Sequence, residues 1–279
     1  MLKSRRRKKI ERTKEWKKNK DMSDAIHQGF VKVTIDPNGI GTIEFGHPLS
    51  NSLPGTILRK LSDTITQLGN DDSVKVIVLK SEGDRAFCAG ASFDELISIE
   101  DLEAGKIFFS GFAGVINACR KCPKFIIGRI QGKAVGGGVG VASAVDYCFA
   151  TRYADVKLSE LAVGIGPFVV GPAVERKVGA SAMSQLAINA TEWRSARWAA
   201  DNGLYAEIFD ETHEMDERIN ELALKLTASN PQAMTMLKSV FWQGTEHWDQ
   251  LLSERAAMSG ELVLSEFTVN AINKFKKKV

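Results

Sequence analysis

Between an apolar run, Phe125–Ile130, and a stretch of small residues lies G-K-A-V-G-G-G-V-G, residues 132–140. Bare backbone at that junction limits the folds open to the chain. The apolar run reads as a buried strand, and Val139–Val145 reads as a short helix of small side chains. Glycine where one becomes the other lets a second backbone, or a ligand, approach with no Cβ in the way. The same strand-then-helix rhythm recurs elsewhere. A hairpin is predicted over Phe30–Asp36 and Ile40–Phe45, turned at Pro37-Asn38-Gly39. Ser52 precedes a helix with Leu58, Leu61, Ile65 and Leu68 spaced by threes and fours, and Val74–Leu79 reads as a second buried strand. Residues 81–92 read as a loop into helical sequence that continues to about Ala118, and Pro123 marks its end. Short strands are predicted at 147–151 and 156–159. From 171 onward the chain reads as helical over 172–178, 181–190, 194–202, 212–229, 231–242 and 246–276, with one strand at Tyr205–Phe209. Strands alternating with helices predict an α/β fold, a mixed or parallel sheet layered against helices.

Composition bounds the function classes. The 279 residues are 44% hydrophobic, enough for a sizeable core. No run of about 18 apolar residues predicts a transmembrane helix. The net charge of +3 hides an asymmetry: residues 1–21 hold eleven Lys/Arg against three acids, a local +8, so the remainder carries −5. Three readings of the basic stretch stand side by side. It could bind nucleic acid or anionic membrane, act as a targeting presequence, or be a dispensable, disordered extension before Met22. The third is the expectation, and nucleic acid is not expected as a partner. Cys88, Cys119, Cys122 and Cys148 include a C-x-x-C, but no further ligands at zinc spacing accompany it. They are expected to be reduced packing residues of a cytoplasmic protein, with no metal site.

A glycine-rich loop raises the question of phosphate. A P-loop needs Gly-Lys-Ser/Thr after its spacer, whereas Lys133 precedes the glycines here. A dinucleotide fingerprint needs Gly or Ala at position 143, which is Ser. What remains is the first turn of a helix, with free N–H groups and a partial positive charge, approachable because glycine leaves it bare. Such a turn can stabilise a developing enolate or tetrahedral oxyanion; it can equally serve close helix–strand packing. A second stretch, R-A-F-C-A-G-A-S-F-D-E-L at 85–96, also runs from a strand through small residues into a helix. Amides from the two loops could converge on one oxygen.

Together, A-F-C-A-G-A-S-F-D-E-L and, some 40 residues on, G-K-A-V-G-G-G-V-G-V-A-S-A-V-D-Y resemble the crotonase family, the enoyl-CoA hydratase/isomerase superfamily. The similarity spans about residues 30–276. It implies a spiral of ββα repeats over 22–210, a helical trimerisation region over 211–279, assembly as homotrimers or hexamers, and an acyl-CoA thioester as substrate with no separate cofactor. It implies one oxyanion-hole N–H on Ala91 and another on Gly137. It also implies that Ala89, Ala91, Ser92, Phe93, Asp94, Gly136 and Gly140 lie along the substrate, with Arg85 near the CoA phosphates or adenine.

Hydratases of the family commonly use two glutamates. The first would stand three residues after the oxyanion glycine, where this chain has Gly140. The second matches Glu160 in K-L-S-E-L-A-V-G-I-G-P-F. The resemblance therefore implies one acid/base, Glu160, with a pKa raised by an apolar pocket. Hydration of a 2-enoyl-CoA is the leading expectation. A 3,2-enoyl-CoA isomerase is the alternative, since relatives of that kind often lack the first glutamate and some carry Pro-Phe after the second, as at Pro167-Phe168. Decarboxylation or thioester hydrolysis stands behind these, and an inactive acyl-CoA or nucleic-acid binding protein is the reading from outside enzymology. Asp146 is expected to be structural, and Trp242 and Trp248 to be core or interface residues.

Overall fold

The computed structural model describes residues 29–276. The basic stretch 1–21 lies outside the described residues. In chain order the elements are β1 (Phe30–Ile35), β2 (Ile40–Gly46), α1 (Gly55–Asn70), β3 (Val76–Ser81), β4 (Ala86–Cys88), α2 (Phe93–Leu96) and α3 (Leu102–Lys121). Then come β5 (Ile126–Ile130), β6 (Lys133–Val135), α4 (Gly137–Ala144), β7 (Tyr147–Thr151), β8 (Val156–Lys157) and a 3₁₀ turn at Glu160–Val163. The chain finishes with α5 (Gly171–Ile188), α6 (Ala196–Asp201), β9 (Glu207–Phe209), α7 (Thr212–Thr227), α8 (Pro231–Phe241), α9 (Trp248–Leu262) and α10 (Glu266–Lys276).

Two sheets run through this order. The larger has strand order β1-β2-β3-β5-β7-β9, antiparallel only at the β1–β2 hairpin. The smaller is parallel, β4-β6-β8. Each turn of the chain places one strand in the large sheet, one in the small sheet, then a helical segment: β3-β4-α3, β5-β6-α4, β7-β8-α5. That is a ββα spiral, the architecture that the resemblance implies. The three strands of the small sheet are two or three residues long. At that length no alternation can show, so β4 and β6 are absent from the sequence reading and β8 stops short of the expected 159.

Helix packing sets the scaffold. The apolar stripe of α1 (Ile57, Leu58, Leu61, Ile65, Leu68) is buried in the main core. Asp101 caps α3 by accepting from the Ala104 N–H at 2.8 Å, and Arg120 and Lys121 in the last turn complement the helix dipole. Helices α3 and α9 cross at a glycine pair, for a Cβ on Gly105 would lie 2.7 Å from the Gly260 Cα. α7 covers the opposite face of the large sheet through Met215, Ile219 and Ala223. The expected 246–276 helix is two helices, broken at 263–265, whereas the expected pair 172–178 and 181–190 is present as two helical stretches within α5, parted at Gly179, whose φ of 76° and ψ of 162° are not helical. Among the described residues no helix is long and apolar enough to cross a membrane.

Candidate active site

The glycine junction connects β6 to α4. Gly136 is the N-cap, at φ 52° and ψ −117°, and its N–H donates to the Lys157 carbonyl at 2.8 Å. Two constraints demand glycine there. The left-handed φ disfavours a side chain, and a Cβ would lie 3.0 Å from Glu160 Oε1. The Glu160 carboxyl thus rests directly on the Gly136 backbone. At Gly137 a Cβ would enter the Phe112 ring. The Val139 and Gly140 N–H groups turn back to the Gly136 carbonyl, at 2.9 and 3.3 Å. Gly137 and Gly138 come one position too early for an intrahelical acceptor, so their N–H groups remain available to a ligand.

The second loop is held against the first. Gly90 (φ 95°) accepts from the Leu53 N–H at 2.8 Å, and the Ser92 N–H donates to the Leu53 carbonyl at 3.2 Å. Peptide groups alternate in direction along an extended segment. The Ala91 N–H between them therefore points away from Leu53, toward the cavity that Ala91 lines. A Cβ on Gly90 would stand 3.8 Å from the Gly137 nitrogen, so the two loops touch.

A residue missed by the sequence reading fixes this loop. Ser50 and Asn51 are the only non-glycine residues with positive φ among those described, at 54° and 57°. Asn51 is buried; its Nδ2 donates to the Glu82 and Ala86 carbonyls at 2.8 and 2.9 Å, and its Oδ1 accepts from the His47 N–H at 3.0 Å. The Ser50 carbonyl accepts from the Ala89 N–H at 3.1 Å. The 50–53 segment thereby clips both ends of the strand that presents Ala91. The available signal was an Asn just ahead of a helix, a residue type that tolerates left-handed backbone.

Glu160 opens the 3₁₀ turn, which Gly164 (φ 86°) closes. Its Oε2 is the only fully buried side-chain polar atom without a hydrogen-bond partner among the described residues. Burial pushes the carboxyl pKa up to about 7, with only a bond from its own backbone N–H working against the rise. Phe108, Phe109 and Phe112 of α3 wall a cavity of about 440 Å³ on one side, and Pro167, Phe168 and Val170 on another.

Of the residues expected at the site, Ala89, Ala91, Phe93, Gly136, Gly137 and Glu160 line this one cavity. Arg85, Ser92 and Asp94 do not. Arg85 and Asp94 are exposed outside it, and Ser92 is buried beneath, where its Oγ caps α2 by accepting from the Glu95 N–H at 3.4 Å. Gly140 requires a correction, for it does not border the cavity. It is buried in α4, and the direction a side chain would take is filled by Val170, whose Cγ1 would be 2.5 Å from a Cβ there. Valine therefore stands where an acid at 140 would have to pass. All four cysteines are buried and free, and burial pushes the Cys88 and Cys148 thiols up to about 12.

Two backbone donors beside one starved carboxyl in an apolar cavity form a site for polarising a carbonyl while moving a proton near it. The profile of the enoyl-CoA hydratase/isomerase family matches residues 36–274. A Bacillus subtilis protein named "Probable enoyl-CoA hydratase" is 29% identical over 241 residues, covering 86% of this chain and 93% of its own. The peroxisomal Delta(3,5)-Delta(2,4)-dienoyl-CoA isomerase of Arabidopsis thaliana is 24% identical over 239 residues, covering 80% of this chain and 84% of its own. The crystal structure of enoyl-CoA hydratase from Bacillus halodurans shares the fold with a TM-score of 0.81 at 20% identity, covering 88% of this chain and 99% of that one. With the ββα spiral and the profile match running together through both glycine loops and Glu160, the chain belongs to the enoyl-CoA hydratase/isomerase family.

Proposed function

We propose that the protein adds water across the double bond of a 2-enoyl-CoA thioester, with Glu160 as its proton-transfer group. The observation that carries this reading is the Glu160 carboxyl itself, with a pKa of about 7 and an unpartnered Oε2. Near neutral pH such a group gives a proton as readily as it takes one. The Ala91 and Gly137 N–H groups receive the thioester oxygen. As the C2=C3 π electrons move toward that oxygen, each donor contributes roughly 3 kcal/mol to the enolate-like transition state. Water forms a bond to C3 and releases a proton to one Glu160 oxygen, while the proton on the other oxygen goes to C2. The carboxyl ends in the state in which it began, so one acid suffices. CoA enters as part of the substrate; we assign Arg85 and Asp94, exposed outside the cavity, to its polar portion. Several exposed apolar side chains on α8 (Met236, Leu237, Val240, Phe241) support assembly as homotrimers or hexamers.

One observation favours a second reading. With Val170 filling the direction a side chain at 140 would take, the site has a single acid. A single acid also suits a proton shift within the substrate: Glu160 takes a proton from C2 of a 3-enoyl-CoA and returns it at C4. Supplying 2-enoyl-CoA and 3-enoyl-CoA separately in deuterated water, with products identified by mass, separates the two. Hydration adds the mass of water to the 2-enoyl substrate. A 3-enoyl substrate turned into its 2-enoyl isomer with no water added would replace the first reading by the second.

A further inference from the structure

Only two of the residues that line the cavity can ionise, Glu160 and Lys157. Lys157 is in β8, in register with Val135 of β6, which also lines the cavity, so the two side chains share that face of the small sheet. Its Nζ lies 4.5 Å from the centre of the Trp193 ring, and Lys133 Nζ lies 4.6 Å from the same ring. Among the described residues neither ammonium is in an ion pair. Lys157 is not the counter-ion of Glu160, whose Oε2 has no partner. The loop that carries Trp193 is fastened to β8 by the Arg194 and Val156 backbones, at 2.8 and 2.9 Å, and it brings Thr191 to the same wall. One wall of an otherwise apolar cavity is therefore polar and cationic, formed by Lys157, Ser159 and Thr191.

A lysine on such a wall needs an explanation. Lys157 is half-buried, the Trp193 ring beside its ammonium is 38% exposed, and no counter-charge among the described residues accompanies it. A tryptophan face offers cation–π attraction and no neutralising charge. A second lysine over the same ring adds like charge where an anion is missing.

We infer that the acyl group accepted by this site carries a second acid, a carboxylate at the end remote from the thioester, which pairs with Lys157 within the cavity. The inference rests on the reading of the cavity as an acyl-CoA site. Lys157 would act as a specificity-determining residue, separate from the proton chemistry of Glu160. The Ser159 and Thr191 hydroxyls stand ready to donate to the carboxylate oxygens that the ammonium leaves free.

The test uses saturated thioesters, which bind without reacting. Dissociation constants of glutaryl-CoA and adipyl-CoA are measured by calorimetry against pentanoyl-CoA, hexanoyl-CoA and free CoA, for the wild type, Lys157→Met and Lys157→Arg. The wild type should prefer at least one carboxyl-ended ligand over its methyl-ended counterpart. Lys157→Met should shrink that preference by roughly 10- to 100-fold, the amount expected of one charge-assisted contact, and Lys157→Arg should retain most of it. No preference in the wild type would overturn the inference. So would a Lys157→Met variant that weakens every ligand equally, free CoA included, since the lysine would then be reading the phosphates of CoA. Binding does not depend on turnover. A clear preference without any enoyl-CoA reaction would sink the proposed function and leave this inference standing; turnover without preference would do the reverse.

Discussion

Two buried carboxylates of this molecule receive opposite treatment. Asp146, 8% exposed, accepts through Oδ2 from Lys238 Nζ at 2.7 Å and from the Ile126 N–H at 2.8 Å, and through Oδ1 from Trp242 Nε1 at 3.2 Å. Lys238 in turn donates to the Lys124 carbonyl at 2.7 Å, and Lys177 donates to the Asp146 carbonyl at 2.9 Å. Glu160 has the opposite surroundings, phenylalanine rings, a bare glycine and an oxygen with no partner. Both sites desolvate a carboxyl, and only the first compensates it. A satisfied acid fastens α8 to the sheet. A starved one is held near the point where it binds and releases a proton with equal ease. Burial with partners makes a fastening, and burial without them leaves the acid that the proposed chemistry needs.

The contrast can be broken at either end. Replacing Glu160 by Gln keeps the shape and removes the transferable proton. Turnover of an enoyl-CoA should fall by roughly 10²–10⁴, while a saturated acyl-CoA still binds. A variant with wild-type turnover would remove Glu160 from the chemistry. At the other end, Asp146→Ala leaves the Lys238 ammonium buried with no counter-charge, for an expected loss of about 3–5 kcal/mol in urea unfolding. A loss well under 1 kcal/mol would mean that Lys238 escapes to solvent and that the cluster is not a fastening.

Glu160 also ties the contrast to pH. The Glu160 pKa is raised from its ordinary 4.5 to about 7 in the fold. Its contribution to stability is therefore complete below about 4.5 and is lost as pH rises through about 7. At pH 8 the wild type holds an ionised, desolvated carboxylate at a cost on the order of 3 kcal/mol. Glu160→Gln should therefore be more stable than the wild type at pH 8 and nearly equal to it at pH 4.5, as read by melting temperature. A stability difference that does not change with pH would contradict the raised pKa.

How much of this was legible in the sequence follows from the range of the interactions involved. The Gly136–Gly138 run announced a strand-to-helix junction because its cause is local, a left-handed φ and a close approach at consecutive positions. Glu160 was legible through its flanking K-L-S-E-L-A-V-G-I-G-P-F, and Asp146 through its place in an apolar V-D-Y segment. The small sheet was not legible, because strands of two or three residues carry no alternation and are held by neighbours 22 to 47 positions away. The Asn51 clip spans |i−j| of 31 and 35, and nothing within its own segment names the partners. Lys157 reads locally as one more surface charge; only its register with Val135 places it on the cavity wall. The break of α9 from α10 falls at V-L-S, which has neither glycine nor proline to signal it.

Gly140 tests the contrast from the side of packing, with the smallest effect. The resemblance to family hydratases makes it the position where a second acid would stand, and the structure fills the adjoining space with Val170. Gly140→Glu gains roughly 0.5 kcal/mol in helix propensity. It must also displace Val170, whose Cγ1 and Cβ would lie 2.5 and 2.7 Å from the new Cβ. Overpacking of that kind costs about 1–3 kcal/mol, so the clash outweighs the propensity and the variant should be less stable by about 1–2 kcal/mol. Hydration of 2-enoyl-CoA should not improve, since the added carboxylate is deflected from the cavity. Removing the obstacle reverses both results. In Gly140→Glu/Val170→Gly the nearest part of residue 170 is the Cα, 3.6 Å from the new Cβ, an ordinary contact. The double variant should hydrate 2-enoyl-CoA faster than the single one and regain part of its stability relative to Val170→Gly alone. If Gly140→Glu by itself proves as stable as the wild type, Val170 is not the barrier, and the absence of a second acid needs a cause other than packing.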